Sequence, residues 1–289
     1  MADRYWDGST DGDWNTAANW TPAAVPSAGE NVFITDTAVS IDAYDNSAVA
    51  LGIVTIGPGF TGNIGTSAGD LILSCAASKR IVIDGAPSST TQEMWIDYNS
   101  ANATTIEVKG YGTITAAGMA TKGIHLTRTA GALTVVNHGG PVSFDSGTAA
   151  SYVDAGSAAQ TIIASGTTIT TYKMIASGAV ATLNTSPVAI NVSAGTVTVN
   201  GTATLVNVVQ WGGSISWNGG AAVSGAVTIY GGTFDTSSAV ASAALASATI
   251  YGDSSTTLVD LTLATVSGTI TTHGTPTIIY PPTSTVSLA

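Results

Sequence analysis

The chain has 289 residues, and only 9% of them are charged, with a formal net charge of −11. That balance argues against a nucleic-acid partner, because contact with a phosphate backbone needs clustered Lys and Arg to release counterions. The mean hydropathy of +0.33 is high, yet there is no run of about 18 apolar residues to cross a bilayer, and the stretch Ala239 to Ala248 is broken by Ser242 and Ser247.

Thirty-three glycines and nine prolines punctuate the sequence, while the helix formers Glu, Lys and Arg are scarce. Thr and Val suit a pleated, half-buried surface. The composition therefore predicts an all-β chain with almost no helix. The single Cys75 allows neither an internal disulfide nor a thiolate metal cluster. No basic, apolar and small-residue succession marks a signal peptide in MADRYWDGST, which predicts a chain made and kept inside a cell.

Residues 1–45 stand apart as a Trp-rich acidic arm or cap, with Trp6, Trp14 and Trp20 among the six tryptophans of the chain. Clustered indoles bury large area and still donate one hydrogen bond each, which suits a cap on a solenoid end or a partner contact. Within this arm, Asp7, Ser9, Asp11, Gly12 and Asp13 resemble the start of a calcium loop, but the twelfth position is Ala18 rather than a bidentate Glu, so no metal site is expected.

Residues 46–195 form a second segment, with short alternating runs such as Leu71-Ile72-Leu73, Ile81-Val82-Ile83, Ile106-Glu107-Val108 and Leu133-Thr134-Val135. These read as strands, in what is expected to be a β-rich module of early coils. The histidines His125, His138 and His273 lie far apart without zinc-type spacing, and His138-Gly139-Gly140 reads as a structural turn.

Residues 196–274 carry the sharpest signal: Trp211-Gly212-Gly213, Tyr230-Gly231-Gly232 and Tyr251-Gly252-Asp253, spaced by 19 and then 21 residues. An echo follows at Gly268-Thr269-Ile270-Thr271. A period near 20 residues matches one coil of a right-handed parallel β-solenoid, at least over this C-terminal half. The alternative is a β-sandwich or jelly-roll, which regular short strands also mark. Trp211, Trp217, Tyr230 and Tyr251 are then either glycan-stacking aromatics or a core stack. A Pro/Thr-rich tail, 275–289, closes the chain.

The opening residues Arg4-Tyr5-Trp6-Asp7-Gly8, Asp13-Trp14-Asn15, Ala18-Asn19-Trp20, Val25-Pro26 and Gly29-Glu30-Asn31-Val32 resemble the start of tailed-bacteriophage virion proteins and of autotransporter-like β-helix proteins. Without a signal peptide or a C-terminal barrel pattern, the phage group is the better match. The resemblance implies a virion location and a homotrimer bound to the major capsid protein or other virion proteins. The expected role is a non-enzymatic capsid decoration (cement) protein on the outer head. The alternatives are a tail fibre or adhesin that binds host glycans and a polysaccharide-degrading tailspike. For the last, paired carboxylates would require Asp235 and Asp253 to stack on adjacent coils, and carboxylates are scarce. No catalytic residue and no cofactor is expected.

Overall fold

The computed structural model describes residues 2–84, 92–110, 119, 122–220, 222–239 and 243–279, so residues 280–289 of the expected tail lie outside it. Apart from the three-residue 3-10 turn Ala17–Asn19, the longer elements are strands, and the chain is a parallel β-solenoid. It forms two compact units, Met1–Ala150 with Ala158–Ile162, and Ser151–Ser157 with Ile163–Ala289. The compositional boundaries at 45 and 195 each fall inside one unit.

In the first unit, Asp3–Trp6 pairs in parallel with Asn31–Ile34, which pairs with Val54–Ile56, then Arg80–Asp84, then Thr104–Gly110. Because the pairing is parallel and in register, one inward position repeats from coil to coil. Val32, Val54, Ile81, Ile106 and Val135 form one buried column; Trp6, Ile34, Ile56, Ile83 and Val108 form its neighbour. The repeat is clear in the sequence only beyond residue 195, whereas the coils begin at the first strand.

The second unit repeats the scheme with shorter coils. Ala189–Val192 pairs with Asn207–Gln210, which pairs with Val223–Ile229, and a parallel series runs through Val180–Leu183, Thr196–Val199, Ser214–Trp217 and Gly232–Asp235. Ile190, Val208, Val227, Ala248 and Ile270 stack inward on one face; Val197, Ile215, Phe234 and Val259 do so on another. Each fully buried Val or Ile side chain contributes about 1.5–3 kcal/mol by leaving water.

A polar pair braces the first coil. The guanidinium of Arg4 grips Glu30 with two bonds, Nε to Oε2 at 2.9 Å and Nη2 to Oε1 at 2.8 Å, and the Ser27 amide adds a third at 2.8 Å. These donors stabilise the ionised form, led by Arg4, and pull the Glu30 carboxyl down to about 2. A depressed carboxyl contributes stability that is present above its unfolded pKa and is lost as pH falls through the folded one. Glu30→Gln should therefore lower the urea midpoint at neutral pH, and the gap to wild type should close as pH falls from the ordinary carboxylate range toward about 2. A gap that stays constant across that window would show that the pair does not act through its charge.

Candidate functional site: an exposed aromatic ladder

The Trp-Gly-Gly and Tyr-Gly-Gly turns recur because their second glycines stack. Gly213 and Gly232 have φ of +72° and +87°, and a Cβ on Gly232 would lie 2.2 Å from the Gly213 carbonyl oxygen. A side chain there is both strained and blocked. Gln210, buried at the end of its strand, pins the turn by donating from Nε2 to the carbonyls of Gly213 (3.1 Å) and Thr233 (2.9 Å), which belong to successive coils.

Each turn thereby places its aromatic residue at the same outward position. Gln210 aligns with Ile229 and Ile229 with Ile250, so the following residues Trp211, Tyr230 and Tyr251 superpose, and Tyr251 aligns with His273. The rings stack with centroids 4.0, 4.8 and 4.5 Å apart and planes within 12° of parallel. This four-ring ladder stands on the surface. Beside it runs a column of half-buried threonines, Thr228, Thr249 and Thr271.

The stack decides which ring can hold a ligand. The faces of Tyr230 and Tyr251 are covered by their neighbours, so these residues offer edges and hydroxyls to solvent. Trp211 has Tyr230 on one face, while the other looks along the coil stack over Ser193, and the residue is 58% exposed. Only a ring with a free face can stack on a sugar or another flat partner.

The remaining aromatic candidates are inside. Trp217 is buried and packs 6.0 Å from Phe234 as a core residue, so it takes no part in the surface ladder. Trp6, Trp14 and Trp20 are buried as an edge-to-face cluster, with centroid separations of 5.1 and 4.7 Å. Trp20 donates from Nε1 to the Trp14 carbonyl at 2.8 Å, and Trp6 heads the Ile34–Ile56–Ile83 column. As placed, none of the three turns a face to solvent.

Asp235 and Asp253 do not stack. Asp235 aligns with Asp260, and Asp253 aligns with Thr275. The acidic run of the N-terminal arm forms exposed local turns. Asp7, Asp11 and Asp13 accept the amides of Ser9, Asp13 and Asn15 respectively, and no group of three ligating side chains capable of holding a metal occurs among the described residues. His138 is an exposed side chain 3.6 Å from Glu107 and is not part of the ladder.

The first unit holds one polar cluster that spacing did not reveal. His125 stacks on Trp95 at 3.7 Å, and its Nδ1 lies 2.8 Å from Asp145, which also accepts from Ser143. Asp97 accepts the amide and hydroxyl of Thr129, and Asp70 accepts the Thr127 hydroxyl. Burial pushes the Asp70 carboxyl up, and the nearby charges of Asp97 and Asp145 add to that against the Thr127 bond. With oxygens of all three carboxylates held internally, the cluster works as a brace. Cys75 is similarly inert, its thiol pushed up to about 11 by burial.

Comparison with family models, curated proteins and solved structures finds no match to this chain. What the ladder can do is therefore read from its geometry. Each stacked pair adds about 0.5–1.5 kcal/mol beyond area burial. Tyr230→Ala breaks two pairs and Trp211→Ala one, so thermal or urea unfolding should show Tyr230→Ala as the more destabilising, by about 1 kcal/mol, although the indole is the larger ring. The reverse order would mean that the rings do not support one another.

Proposed function

We propose that the chain is a non-enzymatic structural protein of a bacteriophage virion exterior, a solenoid module of tail-fibre or adhesin type that binds polysaccharide on the host surface. The observation that carries this reading is the free, water-exposed face of Trp211 at the head of a rigid ring ladder. Leaving an indole 58% exposed forgoes the burial that nearby Val208 and Val227 achieve, and a partner that covers the ring recovers it. Polysaccharides fit such a surface because pyranose rings present an apolar C–H face and a rim of hydroxyls, which the aromatic column and the adjoining threonines complement.

The phage setting rests on the Trp-rich opening motif, and the virion is taken to assemble in the host cytoplasm. Size and acidity favour a capsid decoration protein on the outer head equally well, but neither feature picks out a face of the molecule. The ladder does. A polysaccharide-degrading activity has less support, since the Asp235 and Asp253 pair is not formed and the Asp70, Asp97 and Asp145 carboxylates are engaged internally.

Binding to an immobilised panel of bacterial capsular and O-chain polysaccharides tests the proposal. At least one should retain the protein, with a loss of tenfold or more in Trp211→Ala while the circular dichroism spectrum remains that of wild type. Retention by no polysaccharide, or cryo-microscopy density for the chain confined to the head shell, would overturn it.

Self-association is part of the proposal. Val188 and Val206 are 40% and 45% exposed on adjacent coils, joined by a 2.7 Å backbone bond, and form an apolar strip that a second copy would cover. Light scattering at micromolar concentration should give about three times the 28.7 kDa chain mass. A monomer mass would remove the trimer.

A further inference from the structure

We infer that the rung below Trp211 is a single-sugar subsite selective for anionic sugars, of the uronic or sialic acid class. The inference rests on the adhesin reading and adds the chemistry of the ligand. The ladder position continues downward past Trp211. Its amide donates to the Val192 carbonyl at 2.7 Å, and the Ser193 amide donates to the Met174 carbonyl at 2.8 Å, so Trp211, Ser193 and Ile175 occupy one outward column on three successive coils. Adjacent coils are about 4.8 Å apart, and the ladder's own rings stack at 4.0 to 4.8 Å. One rung thus accommodates one ring.

At the rung beneath the indole the chain places a small serine in place of a ring. Beneath that, Ile175 stands 52% exposed. A pyranose laid flat against Trp211 fills the rung over Ser193, with its apolar face on the indole and the Ile175 side chain closing the far side. Its ring substituents then project over the neighbouring outward column, where Lys173 aligns with Asn191 and Asn191 with Val209.

That column supplies the selectivity. Lys173 is the sole Lys or Arg of the second unit, and its exposed ammonium forms no ion pair among the described residues. Asn191, one coil nearer, has a side-chain amide without a hydrogen-bond partner among them. The ladder's carboxylate, Asp253, lies two rungs beyond Trp211 on the opposite side and is engaged by Ser255 and Thr256. The unpaired ammonium therefore stands one coil from the open rung, while Asp154, on the coil beyond Lys173, is fully buried and accepts from the Tyr172 hydroxyl rather than facing the rung. A carboxylate on a ring stacked against Trp211 gains charge attraction to the ammonium as well as hydrogen bonds, whereas a neutral hexose gains the hydrogen bonds alone.

Titration of the full chain with alginate oligosaccharides and colominic acid, against dextran oligosaccharides as the neutral control, tests this. The acidic ligands should bind at least fivefold tighter than dextran at low salt, with the difference shrinking as salt rises. Lys173→Gln should bring the acidic ligands down to the dextran level. Ser193→Trp should extend the ladder, block both ligand classes and leave the unfolding temperature at or above wild type, which separates occlusion from misfolding. Equal affinity for acidic and neutral ligands, a preference that survives Lys173→Gln, or binding untouched by Ser193→Trp would each overturn the subsite while the adhesin reading stands. Failure to bind any member of the surface-polysaccharide panel would remove both.

Discussion

Parallel, in-register pairing between successive coils is the constraint on which everything else depends. Once a strand lies beside its predecessor in the same direction and register, every residue is stacked on its counterpart one coil away, inside and outside alike. Inside, like stacks on like, so Val32, Val54, Ile81, Ile106 and Val135 become one apolar column. Outside, the same rule turns four aromatic residues, isolated in the sequence, into a ladder. The surface feature and the core are one geometric consequence, and the aromatic face inherits the rigidity of the backbone bonds that hold the coils.

This architecture also explains how a chain with 9% charged residues is organised. Alternation sends every second residue outward, and Thr, Ser and Asn meet water there without needing ions. The few ions are used locally, as in the Arg4–Glu30 pair and the Arg80–Glu107 contact at 3.2 Å. Against so neutral a background, an exposed cation with no ion pair among the described residues, such as Lys173, weighs more in the field around it than it would on a highly charged surface.

Legibility of the fold in the sequence follows coil length. In the second unit one column position recurs at residues 190, 208, 227, 248 and 270, close enough to constant for the aromatic-Gly turns to betray the period. In the first it recurs at 32, 54, 81, 106 and 135, and the uneven loops hide the same repeat. The parity of Ser214-Ile215-Ser216-Trp217 already places Trp217 with Ile215 on the inner side, whereas Trp211 follows the buried end of its strand and turns outward. His273 is the fourth ring and also precedes a glycine, but an imidazole in place of Trp or Tyr does not mark the turn in the sequence. The His125 and Asp70 cluster could not be read at all: its members sit on different coils with no common motif, and only register brings them together.

Stacking like on like raises a difficulty of its own, since a column of Val and Ile would tolerate a strand slipping to another partner with little loss. Something must penalise the slip. Unequal coil lengths do part of this, and buried polar groups do the rest. Asn137 ends the column below Val108 and, fully buried, donates to the Gly140 carbonyl at 3.1 Å and the Thr161 hydroxyl at 3.3 Å. Gln210 reaches carbonyls on two coils, and the buried Tyr172 hydroxyl donates to the Asp154 carboxylate. Each bond exists in one register only, and a buried polar group deprived of its partner costs about 1–3 kcal/mol. Gln210 sits immediately before Trp211, so the residue that locks the register is also the one that sets the open indole at the head of its ladder.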